Sequence, residues 1–349
     1  MLYKLSEIAS VIMGQSPKSS SYNSDMLGLP FLQGRTTFGD KYPYFDIWTT
    51  EWNKEANPND ILFTVRAPVG DLNIANTKIA IGRGIAAIRP KKVTTLYLYY
   101  LLQTNKHIFL TSSVGTIFDS INKDALESVY LDIHKEQDQQ HIVNTIGSVD
   151  NLIENLTKQN EILMTLGISK INQFNNSYEK KSLNKIVKFE KGFEVGSSKY
   201  IEIYKKGLIN YLRVGDLLSL GNTYIDEKDS DKIAKFEDIL VAFDGSPGRN
   251  SIGLVGAYSS GIYNLKSTNN DKGLVYFEMN SDINKKIIDN HSQGTTILHA
   301  SKSINYLVYV DVDDNDKKVL NNYFYLILQN KKKINFLNKI KDNLLDKYF

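Results

Sequence analysis

HIVNTIGSVDNLIENLTKQNEILMTLGISKI, residues His141 to Ile171, decides the architecture of this chain. Its apolar residues fall at Ile142, Ile146, Val149, Ile153, Leu156 and Leu163, in steps of four, three, four, three and seven. An apolar residue about every 3.5 positions is a heptad seam, which predicts a long helix packed along another helix. Asn160 fills a seam position, where one polar residue fixes register at some cost in stability. Asn, Gln, Glu, Lys and Thr stand between the seam residues, as on a solvated face.

The partner is found at the far end of the chain. Leu320, Tyr323, Ile327, Ile334, Leu337 and Leu344 follow the same three/four spacing, with polar Asn330 and Lys341 at seam positions. The link between the two segments is an internal repeat. Leu5 and Ile8 recur as Leu183 and Ile186, Gly14 as Gly192, Asp60-Ile61-Leu62 as Asp238-Ile239-Leu240, and Gly70 as Gly248, all 178 positions on. With small gaps, LPFLQG (Leu29 to Gly34) aligns with INYLRV (Ile209 to Val214), Gly84-Ile85 with Gly261-Ile262, and Gly115-Thr116 with Gly294-Thr295. A period this long means a duplicated domain, each copy followed by its own helix.

Within each copy, short apolar runs such as DILFTV, KIAIGRGIAAI, DILVAF and SIGLVGAY are bounded by Gly, Pro, Asn and Asp, which are strand signals with turn punctuation. LYLYYLLQTNKHIFL (Leu96 to Leu110) reads as a buried helix. The expected fold is α+β: two β-rich domains related by the repeat, over residues 1–133 and 179–312. They are separated by two long antiparallel coiled-coil helices, over 134–178 and 313–349. Thirty-odd helical residues span roughly 50 Å at ~1.5 Å each, on the order of 15 base pairs of duplex.

Composition bounds the function. The chain has 349 residues, 42% hydrophobic and 23% charged, with net charge +3 and no cysteine. The absence of cysteine excludes a disulfide scaffold, a zinc-thiolate site and a thiol nucleophile, and fits a reducing cytoplasm. No apolar run approaches the ~20 residues that cross a bilayer, so no membrane partner is expected. Lysine dominates the basic residues in an Asn/Lys/Ile-rich composition, so the scarce arginines are the more informative cations.

No phosphate-binding loop, Gly-x-Ser-x-Gly elbow or metal-ligand spacing occurs. His134 and His141 stand seven apart, two turns of helix, which reads as a solvated face rather than a metal pair. Asp313-Asp314 reads as part of a charged turn. The chain looks non-catalytic.

The loops, by contrast, carry side chains suited to DNA. Lys18, Ser20 and Tyr22 in one copy, and Lys199 and Tyr200 in the other, are phosphate-binding types. Gln33 and Arg35 can read adenine and guanine edges. Arg66 and Arg83 stand beside the tight turns RAPVG and GRG, and Arg213, Asp244, Ser246, Arg249 and Asn250 hold comparable places in the second copy. Trp48 and Trp52 read as packing residues, and Pro68, Gly70, Gly84, Pro247 and Gly248 as turn formers. RTTFGDKYPYFDIWTTEWN (Arg35 to Asn53) has no counterpart by sequence in GDLLSLGNTYIDEKDSDK (Gly215 to Lys232). Matching frames with divergent loops are the pattern of a duplicated recognition module.

These motifs together resemble the specificity subunit of Type I restriction-modification systems. The resemblance rests on Leu5 to Gly14, LPFLQG, DILFTVRAPVGDLNIA (Asp60 to Ala75), IGRGIAAIRP (Ile81 to Pro90), Gly115-Thr116 and the helix entrance KEQDQQHI (Lys135 to Ile142). It covers both halves in order. The second half departs, with DGSPG (Asp244 to Gly248) for RAPVG and DNDKKVL (Asp314 to Leu320) at the helix entrance.

The resemblance implies two target-recognition domains, each reading half of a bipartite double-stranded DNA target. It implies a helix pair that sets the unread spacer and binds two methyltransferase (modification) subunits, with restriction (motor-endonuclease) subunits joining. S-adenosylmethionine, ATP and Mg would be used by those partners, and no cofactor bound by this chain. The alternatives are a specificity subunit with a fused methyltransferase-nuclease partner, a two-module protein-interaction scaffold, and an enzyme with a site between the halves.

Overall fold

Two strands, Ile61–Thr64 and Ile239–Ala242, are buried along their whole length. Each lies inside a sheet covered on both faces, which is why its sequence runs apolar without alternation. Ile61 and Phe63 enter one core while Leu62 enters another, and Ile239 and Val241 part from Leu240 in the same way. The computed structural model of the chain describes residues 1–111, 120–294 and 298–349. Gly115-Thr116 and Thr295 lie outside them.

The chain forms two units, Met1–Asn151 with Lys339–Phe349, and Leu152–Asn338. In the first, the sheet order is Ala9–Met13, Ile85–Pro90, Ile61–Thr64, Leu72–Ile74. In the second it is Lys188–Lys191, Ile262–Lys266, Ile239–Ala242, Asn250–Ser251. A second sheet in each unit holds a parallel pair, with Phe31 opposite Ala80 and Tyr211 opposite Ala257. The registers match the LPFLQG/INYLRV alignment.

The repeat extends to polar anchors. Buried Asp60 accepts two hydrogen bonds from Arg89, at 2.9 and 2.7 Å. Buried Asp238 accepts from Asn264 at 2.7 Å and Lys266 at 2.9 Å. The divergent loops also share a plan: 3-10 turns at Arg35–Thr37 and Val214–Leu217 each precede a short strand that pairs antiparallel with the strand before the turn, Trp48–Thr49 or Tyr224–Asp226.

The helix expected over Leu96 to Leu110 is two, Thr95–Thr104 and Lys106–Thr111. Asn105 parts them, its side-chain amide donating to the Leu101 carbonyl at 2.9 Å.

The central helix runs Glu136–Ser177, 42 residues, or about 63 Å at 1.5 Å per residue. Ile142 and Ile146 are sealed in the first unit's core beside Leu345. Leu156 is buried, and Val149, Ile153 and Leu163 are half-buried. Beyond Leu163 the same face continues through Ile171 and Phe174 into the second unit's core. His134 precedes this helix. Its Nδ1 lies 2.8 Å from the Tyr97 hydroxyl, so the two histidines do not share a helical face.

The C-terminal helix runs Asp314–Tyr348, with Asp313 capping the Asp316 amide at 2.9 Å. Within the first unit, Lys341 meets Asp150 at 2.7 Å and Tyr348 meets His141 at 3.2 Å. Within the second, Asn330 meets Asn160 at 3.0 Å and Lys170 meets Asp316 at 2.8 Å. In each unit the numbers rise along one helix as they fall along the other, so the segments pack antiparallel. Ile327 is buried, and Ile334, Leu337 and Leu344 are half-buried. The early part of this helix departs from the expected seam. Phe324 is sealed against Tyr276, with ring centroids 5.5 Å apart, while Tyr323 is only half-buried. These turns face the unit's own core.

Candidate nucleic-acid interface

In each unit the loops with the recognition-type residues hang on one backbone frame, and the two frames share a set of equivalent backbone hydrogen bonds. Gly14 N donates to Ile85 O at 2.9 Å, and Gly192 N to Ile262 O at 2.9 Å. Gln15 N reaches Ile81 O as Phe193 N reaches Tyr258 O. Gly82 N reaches Leu32 O as Ser259 N reaches Leu212 O, and Val65 N reaches Gly84 O as Phe243 N reaches Gly261 O. The glycines are required by this closeness. A Cβ on Gly14 would sit 2.2 Å from Gly82 O, and one on Gly192 2.1 Å from Ser259 O. The RAPVG and DGSPG turns also coincide. Gly70 N donates to Thr64 O and Gly248 N to Ala242 O, with φ at +89° and +82°, a region glycine enters without steric cost.

In the first unit the frame gathers Ser16, Gln33 and Arg83. Arg83 N donates to Ser16 Oγ at 3.2 Å and Gly84 N to Gln33 O at 3.2 Å. The side chains of Lys18, Gln33, Arg66 and Arg83 are exposed and form no hydrogen bond or ion pair among the described residues. Ser20 is exposed in the 3-10 turn Ser19–Ser21. Tyr22 and Arg35 are engaged within the protein. The Tyr22 hydroxyl donates to Pro17 O at 3.1 Å, and its ring lies on Phe31. Arg35 pairs with Asp71 at 2.8 Å, and Lys106 meets the other oxygen of that carboxylate. Burial alone would raise the Asp71 carboxyl, but hydrogen bonds from Lys106 and Arg35 outweigh it and hold it below the usual range. These three residues line a cleft of about 720 Å³ with Phe38, Tyr99 and Gln103. Trp48 is half-buried, and Trp52 donates to Glu55 at 2.8 Å.

In the second unit most candidates are bound to protein groups. Lys199 pairs with Asp229 at 2.6 Å. The Tyr200 hydroxyl donates to Glu194 at 3.2 Å, and its ring lies on Tyr211. Arg249 reaches Val214 O at 3.4 Å, and Asn250 exchanges amide bonds with Asn280 at 3.1 Å. The Ser246 carbonyl accepts from Arg249 N, closing the turn. Arg213 stays exposed, its Nε 3.8 Å from Asp216.

The frame equivalence also places acids on the frame, two of which, Asp71 and Glu194, reading by type passes over. Asp71 occupies the place of Arg249, since Thr64 N donates to Asp71 O and Ala242 N to Arg249 O. Asp244 stands where Arg66 stands, and its carboxylate lies 2.8 Å from His299 Nδ1. Glu194 replaces Ser16. Extending the 178-residue offset through these positions would have paired them, but a search for basic and amide residues ignores acids. Among the described residues, no group of three or more His, Asp or Glu is placed to hold a metal ion. No helix among them is long and apolar enough to cross a membrane.

Comparison with known proteins follows the same lines. Residues 1–164 match the family model described as the Type I restriction modification DNA specificity domain. A putative type I restriction enzyme MjaX specificity subunit from Methanocaldococcus jannaschii is 41% identical over 153 residues, 43% of this chain and 36% of that protein. The type I restriction enzyme MjaIX specificity subunit of the same organism is 35% identical over 111 residues, 31% of this chain and 26% of that one. The matched part is thus about a third of those relatives' length. The crystal structure of a Type-I restriction-modification system S subunit from M. genitalium covers 100% of this chain and 96% of its own, with TM-score 0.56 and 17% identity. That likeness concerns the fold, two sheet-rich units with two long helices. Over residues 1–164 the chain is thus similar to the Type I restriction modification DNA specificity domain, and it resembles the specificity subunits of Type I restriction-modification systems.

Proposed function

We propose that the chain is a non-catalytic specificity subunit of a Type I restriction-modification complex, each unit reading one half of a bipartite double-stranded DNA target. The observation that carries this reading is the pair of frames that share equivalent backbone hydrogen bonds while presenting different side chains. Two copies of one scaffold with unlike rims suit two half-sites of unlike sequence. The paired helices set the unread spacer and dock two methyltransferase subunits, with restriction subunits joining the complex. Exposed apolar residues support the docking role: Ile162 and Leu166 on the central helix, and Leu326 and Phe336 on the C-terminal one. S-adenosylmethionine, ATP and Mg act in the partner subunits. Co-expression with an adenine-N6 methyltransferase subunit of such a system, followed by sequencing of methylated DNA, tests the proposal. Methyl-adenine confined to one bipartite motif is expected. Methylation without sequence preference by an active complex overturns it.

A further inference from the structure

Where the two loops of the shared frame meet, three side-chain positions differ: Ser16 against Glu194, Gln33 against Arg213, and Arg83 against Ser260. In the first unit Ser16 Oγ accepts only the Arg83 backbone amide among the described residues, at 3.2 Å. The Arg83 guanidinium and the Gln33 amide are exposed there and have no hydrogen-bond or ion-pair partner among the described residues. In the second unit Glu194 takes that role and more. It accepts from Ser260 Oγ at 3.0 Å and from Ser260 N at 3.4 Å, and the cation has moved to Arg213 at the end of the neighbouring strand. Arg213 touches Asp216 only through Nε, at 3.8 Å. Its two terminal nitrogens are not held by that pair. Besides Arg66 on the RAPVG turn, the first unit thus presents the Arg83 guanidinium and the second that of Arg213, from different corners of the same frame. Arg35 and Arg249 do not compete for this role, being held by Asp71 and by Val214 O.

A guanidinium fits the O6 and N7 edge of guanine through two hydrogen bonds, and a primary amide fits the N6 and N7 edge of adenine. Resting on the DNA-reading function proposed above, we infer that these three positions determine specificity. Arg83 reads a guanine and Gln33 an adenine in the first unit's half-site. Arg213 reads a guanine in the second unit's half-site, where the Glu194–Ser260 pair closes the corner that Arg83 uses in the first.

The test is selection from a randomised DNA duplex by the full chain complexed with its methyltransferase partner, as wild type, Arg83→Ala, Arg213→Ala and Gln33→Arg. Arg83→Ala is expected to cut the preference for one guanine in one half-site roughly five- to 150-fold. Arg213→Ala does the same in the other half-site, and Gln33→Arg turns one adenine into guanine. The untouched half-site and the spacer stay as in wild type. Retention of the wild-type motif by all three variants overturns the assignment. So does a uniform loss of binding across all sequences with a shallower salt dependence, the mark of phosphate contacts. A wild-type complex that selects no bipartite motif fails the DNA-reading function itself, a result distinct from either.

Discussion

The Asn330 side-chain amide donates to the Asn160 side-chain oxygen at 3.0 Å, so the two polar seam residues of the second unit's helix pair meet each other. Asn330 is buried and also lies 3.4 Å from Gln159 Oε1. A slip along the helices would set each amide against apolar seam residues and strand its hydrogen bonds. The pair therefore specifies register more than it adds stability.

Replacing Asn160 by Leu removes the acceptor and leaves the buried Asn330 amide short of a partner. The expected loss is about 1–3 kcal/mol. Changing both residues to Leu should recover that loss or exceed wild-type stability. A double-mutant cycle by urea denaturation measures it, and an Asn160→Leu variant as stable as wild type counts against the pairing.

The first unit has a charged equivalent. Asp150, buried on the central helix, meets Lys341 at 2.7 Å and accepts from the Tyr100 hydroxyl at 2.6 Å. Burial first, and then the bond to Asp150, push the Tyr100 hydroxyl pKa up, so it serves as a lasting donor. Lys341→Met strands a buried carboxylate and should cost about 3–5 kcal/mol, whereas Lys341→Met with Asp150→Asn should be close to neutral. Thermal melts of the two variants decide it: equal losses would show that the ion pair is not the issue.

Both polar seam positions in the C-terminal helix, Asn330 and Lys341, could be read from heptad spacing, because helical periodicity is local. The repeat was legible for the same reason: Gly14, Gly70, Gly192 and Gly248 mark backbone contacts that tolerate no side chain or need positive φ. What each candidate side chain binds was not legible. Arg35 and Lys199 look alike in sequence to Arg83 and Arg213, but their acids, Asp71 and Asp229, lie 36 and 30 residues away. The loops from Arg35 and Gly215 hid their common turn and following strand because both elements are short, two to four residues, and share no residue pattern. Phe324 was missed since a heptad seam assumes a helix partner, and here the helix faces a domain core.

Gly167 tests that packing. It lies on the central helix, and a Cβ there would come 2.3 Å from the Phe277 ring. In an open helix, Gly→Ala stabilises by about 1 kcal/mol. Here the ring has to shift, and Gly167→Ala should instead destabilise the second unit by about 1–3 kcal/mol. Hydrogen exchange resolves the two units, and faster exchange is expected around Phe277 while the first unit's core holds. A stabilised variant would falsify the close approach.

Glu278 gives the second unit a pH dependence. It is sealed in the core, with Oε1 accepting from Val310 N at 2.9 Å and Oε2 from Asn175 Nδ2 at 3.2 Å. Burial, only partly offset by those bonds, pushes its carboxyl up to about 7 from an ordinary 4.5. Between those values the folded chain keeps a proton that the unfolded chain has lost, so stability falls as pH rises through the interval. At about 1.4 kcal/mol per pH unit the loss is on the order of 3 kcal/mol. Glu278→Gln retains an acceptor for the Val310 amide and cannot ionise. Its stability should be flat between pH 4.5 and about 7, the range over which wild type declines. Parallel urea titrations across that range compare the two, and a wild-type slope that survives in Glu278→Gln would assign the dependence to another group.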